Sequence, residues 1–426
     1  MRANAHRVLF GADGHGAYLH RLTVDEGRKR QIKAARDEIR KEIWSGLRNW
    51  RDHLGAAQLF EAGALTSSYL SGSDLALRPQ FRMQGSWFYH TLNRPIQSPP
   101  QTIDLDDGVF LPISFPDTPG GPQPILSSAG YFALVERILA PVCATKGWML
   151  ITDRPSCVRV QIASDAHIDL ALYAIPDVEF EALLAQAAVA LQFDAELPDE
   201  STFFAEHIYP FLPAGQLRFA HRHDGWVLSD PRALEDWFQE AVDWHGPQIL
   251  RVCRYLKGWR DHHWTTCRLH SMVLMACVAT AYDEAALVAE NRDDLALAMV
   301  ARRLPELLNR RVPNPVAKGQ FLDESWSAEC RADFIAGAHA LAARIEAALE
   351  ADRPSDVLAH LRAVLGADLP CDEDLVLIEV SDGAPSSSQA GTRSIFPQLQ
   401  EQCPVERKLA GDACPIAFLA DRARGL

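Results

Sequence analysis

The chain has 426 residues, 48% of them hydrophobic, and a formal net charge of −14; that length predicts two lobes, and the apolar fraction is enough for a large buried core. No apolar run approaches the roughly 20 residues a membrane span needs and no segment resembles a signal peptide, so the expectation is a soluble, cytoplasmic protein without a membrane partner. Nine cysteines without a Cys-x-x-Cys pair favour reduced thiols, and the acidic balance argues against a broad nucleic-acid-binding face.

In chain order, Thr23-Val24-Asp25-Glu26 has the spacing of a capping box. Ile32, Ala35, Ile39, Ile43, Leu47 and Trp50 then recur at helical intervals and predict a long amphipathic spine helix. Its basic residues, Arg28 to Arg51, alternate with acidic ones and read as a balanced, solvated face. Residues 56–80 read as a second helical passage leading to a Gly85-Ser86 turn. Strands dominate from Thr102 to Tyr173, interrupted by a helix over Tyr131–Ala144 and by a Pro/Gly loop over Pro112–Pro124. From Asp230 the periodicity is helical, over 231–243, 247–263, 269–283, 293–309, 327–351 and 354–364. The segment after Val380 is rich in Ser, Gly and Pro and reads as a mostly disordered tail. The chain thus divides into 1–229, a strand-rich lobe with the spine helix; 230–380, a helical lobe; and 381–426, the tail. The fold class is α+β with a mixed sheet.

The chemistry lies in the strand-rich part. In Ile103-Asp104-Leu105-Asp106-Asp107-Gly108, alternation puts Asp104 and Asp106 on one face while Ile103 and Leu105 point into a core. His167-Ile168-Asp169-Leu170 offers a third aspartate from a neighbouring strand. Three convergent carboxylates suit two Mg²⁺ ions (or Mn²⁺), because hard cations prefer oxygen ligands. Upstream, Gln84-Gly85-Ser86 places a small turn residue where backbone N–H groups can approach a triphosphate, with a hydroxyl beside it. An isolated Asp-Leu-Asp-Asp-Gly is most often a solvated acidic loop; the turn before it and the third aspartate after it argue for a site.

These residues, with Tyr89 to Pro95, Tyr173-Ala174-Ile175-Pro176, Ser229-Asp230-Pro231 through Glu235-Asp236-Trp237-Phe238, and Lys257-Gly258-Trp259-Arg260-Asp261, resemble the bacterial cGAS/DncV-like nucleotidyltransferases. Those are the second-messenger synthases of anti-phage CBASS systems, and the likeness is nearest to DncV-type cyclic GMP-AMP synthases. The resemblance runs from about Thr23 to about Leu369. It implies a two-lobed polymerase-β-like fold in which the helical lobe closes a nucleotide cleft. The implied activity is synthesis of a cyclic dinucleotide from ATP and GTP or other ribonucleoside triphosphates, by a monomeric catalytic unit acting without long nucleic acid. Asp104, Asp106 and Asp169 would be the catalytic, metal-binding residues, and Ser86, Lys257 and Ser271 would meet the donor phosphates. Lys257 is otherwise a surface lysine, and Ser271 a helix cap. Tyr89 would stack a base, or pack in the core; Arg159 would read guanine, or pair with a local carboxylate.

Asp261-His262-His263 with Cys253 and Cys267 is not read as a zinc site, since adjacent histidines on a helix point about 100° apart. Two other functions fit parts of the sequence. A linear oligonucleotide or tailing synthase would call for a basic RNA-binding lobe, against the charge balance. A silent nucleotide-binding regulator would be expected to have lost a metal carboxylate. The resemblance also implies regulatory partner proteins reached through the tail, with Ile395-Phe396-Pro397 and Ile416 to Leu419 as apolar anchors; a terminal Leu426 after Gly425 departs from the small residue that conjugation would need.

Overall fold

The computed structural model describes residues 3–11, 16–62, 77–119, 121–191, 200–213, 215–286 and 288–379. The expected tail and most of the passage foreseen over 56–80 lie outside them. The chain opens with β1 (Ala3–Asn4), α1 (His6–Leu9) and α2 (Tyr18–Arg21), followed by the long helix α3 (Glu26–Arg48) and the single turn α4 (Ala56–Leu59). Then come β2 (Gln80–Gln84), the one-turn α5 (Gly85–Phe88), β3 (Ile103–Ile113), α6 (Ser128–Lys146), β4 (Met149–Ile151), β5 (Val158–Ala163) and β6 (Ala166–Pro176). After α7 (Asp177–Leu191) and α8 (Glu200–Phe203), the hairpin β7 (Arg218–His221) and β8 (Gly225–Leu228) completes the sheet. The rest is helical: α9 (Pro231–His245), α10 (Gln248–His263), α11 (Ser271–Glu284), α12 (Asp293–Asn309), α13 (Ala328–Glu350) and α14 (Pro354–Leu365), closed by β9 (Leu377–Ile378).

The architecture is α+β. Five strands run in the order β2-β3-β6-β5-β4, and β7-β8 joins the far end of β6, where β5 has stopped. Only the central pair, β3 and β6, is parallel. Every residue of β6 is buried, which a central strand covered on both faces requires. Alternate residues of the central pair, Leu105, Val109, Ile168 and Leu170, pack with Ile32, Ile39 and Ile43 of α3 and Leu134 and Ile138 of α6. The opposite face carries a smaller aromatic cluster in which Phe110 and Tyr173 stack at 4.6 Å. Pro112 still belongs to β3, opposite Ile175. Its missing N–H costs no ladder bond on the β2 side, because β2 reaches only Phe110.

Several expectations need correcting. The spine helix is capped by Asp25, whose side chain accepts from Arg28 N at 2.8 Å, while Thr23 Oγ1 donates to Leu19 O. The basic face of that helix is not merely solvated: Arg40 pairs with Asp107, which is fully buried, and Arg28 pairs with Asp165 in the β5–β6 turn. Residues 3–11 and 16–22, grouped above with the strand-rich lobe, contribute instead to the helical core. Val8, Leu9, Tyr18 and Leu22 bury their apolar surface there, β1 pairs with β9, and Ala5 N donates to Asp294. Helix α7 and the β7-β8 hairpin had no counterpart in the sequence reading.

The lobes are joined by a strap, 91–101, lying along α10. Asn93 exchanges hydrogen bonds with Arg254, and the Gln97 and Gln101 amides donate to carbonyls at the end of α10.

Candidate active site

The strand registers line up four side chains across the sheet. Gln84 on β2 lies opposite Asp106 on β3, Asp106 opposite Asp169 on β6, and Asp169 opposite Arg159 on β5. Next along the same strands, Asp104 lies opposite His167. Alternation then puts residues 104, 106, 167 and 169 on the face turned from α3, and Leu105 and Asp107 on the face toward it.

Gly85 follows β2 with φ +62°, a left-handed conformation that favours glycine. A Cβ there would overlap the Asp106 carboxylate, so the turn and the aspartate occupy touching positions. Ser86 lies on the one-turn helix that follows, and Trp87 Nε1 donates to Asp104 O at 3.0 Å, fastening this turn to β3.

Asp104, His167 and Asp169 each offer one ligand atom, all within 4.8 Å of one another. The oxygen-rich donor set fits a hard divalent cation. Asp169 is held bidentately by Arg159, at 2.6 and 2.7 Å. Burial works against the charge on Arg159, yet the Asp169 carboxylate holds its pKa above the usual value.

The site opens into a cleft of about 430 Å³ between the two lobes, a size suited to a small-molecule ligand. Gln84, Gly85, Ser86, Tyr89, Asp104, Asp106, Arg159, Lys257 and Ser271 all line it; Asp169 does not, and lies opposite Asp106 in the hold of Arg159. Lys257 is no surface lysine. It is 6% exposed, and its Nζ donates to Thr91 O at 2.6 Å, while Thr91 N donates to Ser86 O. Burial, with Arg260 nearby, lowers its pKa to about 7. Ser271 is the first residue of α11 and accepts from Arg260 Nη1 at 3.0 Å. Tyr89 packs edge-on against Phe238, with ring centroids 5.6 Å apart, and burial raises its phenol pKa.

The sequence reading gave no role to several members of the lining, among them His167, Ser229 and Glu235. His167 was quoted but given no role, although the same two-residue spacing that pairs Asp104 with Asp106 puts it beside Asp169. Ser229 is 1% exposed, and its Oγ has no hydrogen-bond partner among the described residues; the Gln84 amide nitrogen is likewise buried without one. Glu235 on α9 pairs with Arg82 on β2 at 2.7 Å, a bond that crosses between the lobes. Arg82 also stacks on Tyr209 at 4.0 Å. Burial pushes Glu235 up to about 7 despite that partner. The resemblance included Glu235 without a role, and nothing in the sequence paired it with Arg82, because their meeting depends on how the lobes pack.

Residues 79–173 match the family model for the nucleotidyltransferase domain of DncV-like cyclic GMP-AMP synthases, and residues 246–379 match the model for the cyclic GMP-AMP synthase C-terminal domain. The cyclic GMP-AMP synthase of Vibrio cholerae is 30% identical over 321 residues, covering 71% of this chain and 70% of the relative. The Escherichia coli cyclic GMP-AMP synthase is 30% identical over 248 residues, 57% of this chain and 56% of the relative. Among solved structures, Vibrio cholerae DncV in complex with the linear intermediate 5′ pppA(3′,5′)pG superposes with a TM-score of 0.73, at 24% identity, over 89% of this chain and 100% of that one. Both family models, in order along one α+β chain, and a relative matched over more than two thirds of its length carry the conclusion: the chain belongs to the DncV-like nucleotidyltransferases.

Proposed function

We propose that this protein joins ribonucleoside triphosphates into a cyclic dinucleotide of the cyclic GMP-AMP kind, acting as a second messenger in anti-phage defence. One observation carries the reading. Asp104 and Asp106 line one cleft with Lys257 and Ser271, and Asp169 lies opposite Asp106 on the neighbouring strand, so a triphosphate gripped by the helical lobe would meet the carboxylates of the sheet. Family membership adds that the relatives are named cyclic GMP-AMP synthases.

Asp104 and Asp106 would hold two divalent ions, Mg²⁺ by the oxygen-rich donor set, with Asp169 completing the set on the attacking side. Bound there, such ions lower the pKa of a hydroxyl and neutralise a leaving pyrophosphate. The protein's own part is positioning. Ser86, Lys257 and Ser271 orient the donor triphosphate. A hydroxyl of the second nucleotide attacks the α-phosphorus, the bond to pyrophosphate breaks, and Asp169 helps draw off the hydroxyl proton. The linear dinucleotide then turns within the cleft, and the same residues serve a second attack that closes the ring. Arg159, by holding Asp169, keeps the third carboxylate facing the other two.

Incubation with the four ribonucleoside triphosphates and Mg²⁺, followed by phosphatase treatment and mass spectrometry, tests the reading. A phosphatase-resistant cyclic dinucleotide is expected, and the masses name the bases. A product that phosphatase trims to a dinucleoside monophosphate, by removing its terminal phosphates, would mean that the enzyme stops at a linear oligonucleotide. No product at all would reject nucleotidyl transfer.

A further inference from the structure

Helix α10 turns two cations toward the cleft, Lys257 and Arg260, three residues apart on one face. They are engaged differently. Lys257 rests on a backbone carbonyl, whereas Arg260 joins groups from two parts of the helical lobe. Its Nε and Nη2 lie 2.7 and 2.6 Å from Asp261 Oδ1, and its Nη1 donates to Leu269 O at 3.2 Å and to Ser271 Oγ at 3.0 Å. One guanidinium therefore ties the end of α10 to the start of α11 across the intervening turn. The residue that holds it is itself fastened from the backbone side, since Asp261 O accepts from the Gln97 and Gln101 amides of the strap. The arginine side chain is 17% exposed, so these bonds are made largely out of water.

We infer that Arg260 is a positioning residue that holds Ser271 Oγ ready to donate into the cleft, an inference that rests on the nucleotidyl-transfer reading. A serine hydroxyl turns among three staggered positions and can either donate or accept. Arginine can only donate, so Ser271 Oγ accepts from it and keeps its own hydrogen for another acceptor. In the cleft that acceptor is a phosphate oxygen of the donor nucleotide. The planar fork supplies the direction: with Nε and Nη2 fixed on Asp261, Nη1 has little room to swing, and the serine oxygen is held with it. The hydroxyl is ordered before the nucleotide arrives, and less of the binding free energy goes into fixing it. Lysine at this position would keep the charge but lose the fork, because an ammonium on a flexible stem does not hold a carboxylate and a serine in fixed directions. This sets the role apart from that of a direct phosphate ligand, which lysine fills as a point charge.

The test is a double-mutant cycle on the full-length protein. Calorimetry with Mg²⁺ measures binding of the α,β-methylene analogues of ATP and GTP to wild type, Arg260→Lys, Ser271→Ala and the pair together. It is done at pH 6, where Lys257 is mostly charged, and pyrophosphate release from ATP and GTP and thermal unfolding are recorded for each protein. Ser271→Ala is expected to weaken binding of the tighter analogue about tenfold, the loss of one hydrogen bond to a charged group. Arg260→Lys should weaken it several-fold in wild type, and change it no further once Ser271 is alanine. Wild-type affinity in Arg260→Lys would overturn the inference. An equal loss from Arg260→Lys in both backgrounds would do the same, since the arginine would then act on the ligand or on the fold and not through the serine. If Ser271→Ala binds like wild type while wild type releases pyrophosphate, the inference fails and nucleotidyl transfer stands. If wild type binds neither analogue and releases no pyrophosphate, both fail. Should Arg260→Lys not fold, Arg260→Gln takes its place in the same cycle, with a larger loss expected in wild type than beside Ser271→Ala; equal losses would again overturn the inference.

Discussion

Gly85 and Asp106 are in contact across the β2–β3 pair: the glycine backbone sits where any side chain would collide with the aspartate carboxylate. The turn that would approach a triphosphate and the residue that would hold its metal are therefore one piece of geometry. Gly85→Ala combines that collision with a strained positive φ. Displacement of Asp106 by around an ångström would lower the rate on the order of 100-fold. Pyrophosphate release, measured beside a circular dichroism spectrum that stays native, checks it; activity near wild type would contradict the contact.

Replacing Asp104 and Asp106 together by asparagine removes the charge while keeping the shape, so no core cavity forms. Product formation should disappear while thermal unfolding is little changed. Product at a near wild-type rate would reject the metal assignment.

In the proposed function, Lys257 would couple pH to substrate binding. Its pKa of about 7 in the free protein, caused chiefly by burial, means that it is charged below neutrality and increasingly neutral above. A triphosphate favours the charged form, so binding above pH 7 takes up a proton, and affinity falls as pH rises from 7 toward 9. Calorimetry in buffers of different ionisation enthalpy reads that proton. The stability effect runs the other way. An unfolded lysine binds its proton up to the ordinary value of 10.5, so between about 7 and 10.5 the unfolded state holds more protons, and this group makes stability rise with pH. Lys257→Met should flatten both dependences.

Arg40 and Asp107 tie the spine helix to β3 from beneath the site. Asp107 is fully buried, so Arg40→Met strands its charge at a cost of about 3 kcal/mol. Urea unfolding should show that loss. Arg40→Met with Asp107→Leu should recover much of it, since the uncompensated charge is then gone.

A net charge of −14 also bears on activation. Duplex DNA or RNA should change the rate little at low salt, because an acidic chain offers few counterion-releasing contacts. A large stimulation that vanishes as salt is raised would count against that expectation.

Local pattern by itself determined a good deal here. The helices from α9 to α14 fall within a few residues of their expected places, because each carries a sustained apolar period that neighbours do not override. The three aspartates and the Gly85-Ser86 turn were legible for a similar reason: strand alternation sorts faces without knowledge of the partner strand. Tertiary structure decided what depends on register and on lobe packing. That Asp106 stands between Gln84 and Asp169, that Asp104 faces His167, that Arg40 reaches Asp107 and that Arg82 meets Glu235 across the lobes all join residues distant in sequence. The placement of Val8, Leu9, Tyr18 and Leu22 in the helical core is of the same kind, since the hydrophobic effect has no direction and fixes which side chains are buried but not against what. Lys257 shows the limit most clearly: its position on α10 was readable from periodicity, while its burial, its bond to Thr91 O and its lowered pKa depend on tertiary packing.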